Sequence, residues 1–73
     1  MPPRRLSFRE VRRRLLAAGF AVVRQKGSHV KFGKRTAQGF VTTTVPRHDV
    51  VGIGTLRSVL RQAGLTWDEF DQL

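Results

Sequence analysis

The group in this chain best suited to proton transfer is His29, set in the run Lys26-Gly27-Ser28-His29-Val30-Lys31-Phe32. An imidazole titrates near neutral pH, so a histidine on a cationic surface is a candidate acid–base group. Few other groups compete with it. The chain has no Cys, no Tyr, two His and five acidic residues, and most familiar catalytic constellations cannot be assembled from that set. A solvated strand histidine following a Gly-Ser turn has the same local sequence, and composition alone favours that inert reading, because isolated histidines are common and most do nothing.

The remaining candidates are weaker. His48, in Pro46-Arg47-His48-Asp49, reads as a loop histidine hydrogen-bonded locally, with a second proton-transfer role as the alternative. Ser28 reads as a turn former or phosphate contact, because no carboxylate–histidine relay accompanies it. Two histidines separated by eighteen intervening residues, with one nearby aspartate, do not form a ligand set, so no metal is expected. Gly52-Ile53-Gly54-Thr55 lacks the lysine and length of a P-loop and reads as a tight turn into a helix.

Charge narrows the partners. Fourteen Lys and Arg against five Asp and Glu give a net charge of +9. Such an excess favours polyanions, since neutralising phosphates releases condensed counterions. Eleven of the fourteen cations are Arg, which grips phosphate with a bidentate fork. At 73 residues the chain is expected to be a single domain spanning 1–73. The absence of Cys fits a reducing interior. No apolar run approaches the ~20 residues that cross a bilayer. Met1-Pro2-Pro3-Arg4-Arg5 is followed by no apolar stretch and does not read as a secretory signal. A cytoplasmic location with no membrane contact is the expectation.

The elements that must position these groups can be placed by pattern. Ser7-Phe8-Arg9-Glu10 fits a capping box, and Phe8, Val11, Leu15 and Ala18 follow at helical spacing before Gly19. This predicts a helix from about Ser7 to Ala18, with Arg9, Arg12 and Arg13 on its solvated side. Phe20 to Gln25 reads as a strand, Ser28 to Phe32 as a second, and Gly33 to Gly39 as a polar turn. Phe40 to Val45 reads as a third strand, ended by Pro46. Val30 and Phe32 share one face of the second strand; His29 and Lys31 take the other. A second helix is predicted from near Thr55, with Leu56, Val59, Leu60 and Ala63 as its stripe and Gly64 as its stop. Thr66-Trp67-Asp68-Glu69 is a further capping box opening a short last helix. Three short-connected strands favour an antiparallel meander, and two helices must cover one of its faces. The expected fold is therefore an α+β, α-β-β-β-α two-layer sandwich with a short extra C-terminal helix. Its opposite sheet face, carrying His29 and Lys31, is left open.

Three blocks together carry a family resemblance. Gly27-Ser28-His29-Val30-Lys31-Phe32, Thr44-Val45-Pro46, and the run from Gly54-Thr55-Leu56-Arg57 to Gln62-Ala63-Gly64-Leu65 resemble the HicA family, with matching spacing between blocks. One departure is the apolar pair Val50-Val51. The resemblance implies a double-stranded-RNA-binding-domain-like fold and a toxin of a toxin–antitoxin pair. It also implies a small ribonuclease acting on mRNA and neutralised by a HicB-type antitoxin. The family's catalytic histidine falls on His29.

On that footing the residue chemistry becomes specific. RNA supplies its own nucleophile, the 2′-hydroxyl, so the protein needs a proton-transfer group and cations for the developing phosphorane charge, not a metal or other cofactor. His29 is the expected general acid/base. Lys26, Ser28, Lys31, Arg57 and Arg61 are the expected RNA contacts. Two other functions remain open from the sequence: a non-catalytic RNA-binding module, in which His29 is incidental, and a protein-interaction domain whose basic surface receives an acidic partner.

Overall fold

The computed structural model describes residues 5–73; the N-terminal segment read as lacking a secretory signal lies for the most part, residues 1–4, outside the described residues. The first helix, α1, spans Phe8–Ala17 and is entered from Ser7, whose hydroxyl accepts from the Glu10 N–H at 3.1 Å. Only half of the expected capping box is made. Glu10 turns its carboxylate along the helix to Arg13 and Arg14 instead of back to Ser7. The helix ends as the sequence indicates: Gly19 takes φ +98°, and the Phe20 N–H reaches the Leu15 carbonyl at 3.0 Å. That is the 6→1 bond of a Schellman stop, and it turns Phe20 into the core.

Three strands follow, β1 (Ala21–Lys26), β2 (His29–Thr36) and β3 (Gly39–Pro46), as an antiparallel sheet in the order β1-β2-β3. β2 runs through the segment Gly33–Thr36 that local composition reads as turn; the reversal is only Ala37-Gln38. Two contacts straighten it. The Phe40 ring lies across Gly33, where any Cβ would collide with it. The Lys34 ammonium sits 5.7 Å from the Phe20 ring centroid, with its stem along the core. Thr36 then fastens the hairpin, its hydroxyl donating to the Gly39 carbonyl at 3.0 Å.

The second helix, α2 (Ile53–Ala63), starts two residues earlier than the pattern predicts, directly after Gly52, and ends at Gly64 with φ +73°. The last, α3 (Trp67–Asp71), carries a complete capping box between Thr66 and Glu69. Val51, half of the apolar pair, is buried and forms a two-way backbone bridge with Leu6, so the segment before α2 is tied beside the start of α1. Its neighbour Val50 stays exposed.

One core joins the layers. Val11 and Leu15 of α1, Leu56, Val59 and Leu60 of α2, and Phe70 of α3 meet Val30, Phe32 and Val45 of the sheet. The fold is α+β with one sheet face covered and the other open, as the sequence predicts. Thr43 is the polar member of the buried set: its hydroxyl lies 3.0 Å from the Val59 carbonyl and 3.1 Å from Gln62 Oε1. Thr43→Val keeps the shape and removes the bond, so a loss of about 1 kcal/mol is expected, read as a Tm lower by roughly 4–8 °C.

The Glu10 carboxylate makes stability depend on acid. Hydrogen bonds from Arg13 and then Arg14 hold it at about 2, against an ordinary 4.5. A carboxyl depressed in the folded state stabilises above its ordinary value, and that contribution disappears as pH falls from about 4.5 toward 2. Thermal unfolding between pH 6 and 2.5 is expected to show a falling Tm that flattens in Glu10→Gln. Equal slopes in the two proteins would mean that Glu10 is not the titrating group.

Candidate functional site

The turn before His29 has two residues, and its only positive φ is Gly27 at +58°, the placement of a type II′ hairpin. Lys26 pairs with His29 across it, and His29 pairs with Pro46 on its other side. His29 therefore stands in the central strand between a lysine and a proline. The Arg47 N–H donates to the Ser28 carbonyl, tying the turn to the exit of β3.

Register assigns the faces. Val30, Phe32, Thr43 and Val45 point to the helices, so His29, Lys31, Gly33 and Arg35 share the open face with Phe40, Thr42, Thr44 and Pro46. Lys31 lies roughly 7 Å from His29 along the strand. β1 adds Arg24 beside Lys31 and Lys26 beside His29. Simple alternation places Arg24 with the core-facing Val22. A register shift between them moves Arg24 to the open face, and that is why strand periodicity misses it.

Arg24, Lys26, Ser28, His29, Lys31 and Arg35 are all exposed, and no Asp or Glu occurs from Ala21 to Pro46. Three of the five carboxylates are engaged elsewhere. Glu10 and Asp71 pair with Arg14, and backbone and hydroxyl hydrogen bonds from Thr66 hold Glu69 below the usual carboxylate range. The face around His29 is thus uniformly cationic, which raises the local concentration of a polyanion and holds phosphates beside the imidazole.

Of the expected RNA contacts, Lys26, Ser28 and Lys31 are gathered around His29. Arg57 and Arg61 are not. They are exposed on α2, whose Leu56, Val59 and Leu60 pack on the covered face of the sheet, so sheet and helix stand between them and the imidazole. Helix periodicity reveals that they share a flank but not which side of the sheet that flank adjoins.

His48 lies in the loop after β3 and helps line a shallow pocket of about 270 Å³ with Ser7, Phe8, Arg9, Arg47 and Asp49. An adjoining hollow of about 350 Å³ is lined by Phe8, Arg12, Val22, Gln25, Val30 and Arg47. Neither contains His29, which sits on an open surface. An extended polymer is bound by such a surface more readily than a small molecule, which needs enclosure. Among the described residues no group of three or more His, Asp or Glu is placed to hold a metal ion, and no helix is long and apolar enough to cross a membrane.

Comparison with curated proteins gives no match. A family model does match: the HicA toxin of bacterial toxin–antitoxin systems, over residues 8–65. The match runs from the start of α1 past the end of α2, taking in His29 and its whole sheet. Matched over most of its length and folded as helix, three-stranded sheet and helices, the chain belongs to the HicA toxin family of toxin–antitoxin systems.

Proposed function

We propose that this toxin is a metal-independent endoribonuclease that cleaves mRNA and is restrained by a HicB-type protein antitoxin, with His29 as its proton-transfer group. The observation that carries the reading is the exposure of His29 on a sheet face that bears Arg24, Lys26 and Lys31 and no carboxylate. In the proposed step the His29 imidazole takes the proton of an RNA 2′-hydroxyl. The 2′-oxygen attacks the adjacent phosphorus to give a 2′,3′-cyclic phosphate, and the bond to the 5′-oxygen breaks as that oxygen takes a proton from water. Lys31 and Lys26 flank the imidazole and offset the charge that builds on the phosphoryl oxygens. The Gly27-Ser28 turn, whose Ser28 carbonyl accepts from the Arg47 N–H, holds the backbone from which His29 projects. The test is RNA cleavage in EDTA by the purified chain and its His29→Ala variant.

A second reading, RNA binding without cleavage, is favoured by one observation. Among the described residues no side-chain hydrogen bond or ion pair reaches the His29 ring, so no aspartate holds it as in a catalytic relay. This reading predicts salt-dependent binding with no scission and little effect of His29→Ala.

A further inference from the structure

The open face carries a second feature that phosphate binding does not use. Phe40 is 59% exposed and Val23 47%, although both belong to strands of the sheet. They meet over Gly33, whose missing side chain leaves a notch: a Cβ there would collide with the Phe40 ring and stand 3.1 Å from Val23 Cγ1. The ring is thus supported from beneath and bare above. Arg35 is its cross-strand partner, and Arg24 and Lys31 form the next pair toward His29. Gly33 lies four residues along β2 from His29, roughly 13 Å away on the same face.

A supported, exposed aromatic amid cations and without carboxylates has the make-up of a base-stacking platform. Every nucleobase offers a π-face to such a ring, while the backbone phosphates lie along the neighbouring Lys and Arg. A duplex keeps its bases stacked inside and presents none to the ring. We infer that Phe40, seated on Gly33, stacks on an unpaired base of single-stranded RNA held across the sheet, next to the segment that reaches His29. This rests on the RNA reading above and deepens it: the substrate is single-stranded, gripped by one base at a fixed distance from the imidazole.

The test measures binding of a labelled single-stranded oligoribonucleotide and of the matching duplex, in a His29→Ala background in which cutting is slowed. Phe40→Ala is expected to weaken the single strand roughly 5- to 100-fold and to leave duplex binding within about twofold. Phe40→Trp is expected to restore single-strand binding and to report it by quenching of the new indole. Circular dichroism checks that both variants are folded. Unchanged single-strand affinity in Phe40→Ala, or no quenching in Phe40→Trp, overturns the platform while leaving the RNA reading intact. So does loss of antitoxin binding with RNA binding unchanged, which assigns the ring to the protein partner. If the background protein with Phe40 intact binds neither RNA, and the wild-type chain cleaves none, the RNA reading itself fails and the platform with it.

Discussion

His29→Ala is expected to lower RNA cleavage by about 10²–10⁴-fold, the usual contribution of one positioned acid–base side chain. The residual rate should match a phosphate-binding surface with no proton acceptor. Because His29 is exposed at the start of β2 and makes no core contact, Tm should stay within a degree or two. RNA affinity should change little, since Lys26, Lys31 and Arg24 remain. That combination separates the two readings of the site. Equal cleavage by wild type and variant in EDTA would remove His29 from the chemistry. Loss of growth arrest in cells with normal folding would extend the result to toxicity.

Arg14→Ala is expected to have the largest effect on stability. Arg14 is the charged residue among the buried set, its side chain 11% exposed. Its guanidinium reaches Glu10 at 2.8 Å, the Phe70 carbonyl at 3.1 Å and Asp71 at 3.3 Å, and lies 5.0 Å from the Phe70 ring centroid. One side chain thus joins α1 to α3. Truncation leaves a buried carbonyl unpaired and a gap against Phe70, costing about 3 kcal/mol, or a Tm lower by roughly 12–24 °C. Arg14→Met should lose less, because it refills the gap while Glu10 keeps Arg13 and Asp71 retains access to water. A Tm for Arg14→Ala within 3 °C of wild type would show that this bridge is decorative.

Local signals carried much of the fold. Ser7, Gly19, Gly64 and Thr66 mark helix ends through caps that need only neighbouring residues, and each is used. What escaped was decided at longer range. Gly33–Thr36 has turn-like composition and becomes strand where the Phe40 ring of the next strand lies on Gly33 and Phe20 of the preceding segment meets Lys34. Arg14 falls at helical spacing on the side of Val11 and Leu15, but the groups that its guanidinium meets are set by where α3 returns. At the candidate site, alternation placed His29 with Lys31, while Arg24 required the register shift and Arg57 and Arg61 required knowledge of where α2 lies.

The side chain of Gln62 has a consequence for how this sheet meets other chains. A three-stranded sheet has two outer edges, each a row of backbone groups that another strand can extend. On β3 the Thr44 N–H already donates to Gln62 Oε1 at 3.1 Å, so an arm of α2 occupies the place an incoming strand would take. On β1 the register shift bends the other edge out of line. Growth of the sheet from copy to copy is thereby discouraged at both sides, and a partner that adds a strand beside β3 must first evict the glutamine. Broad-face contact asks for no such exchange.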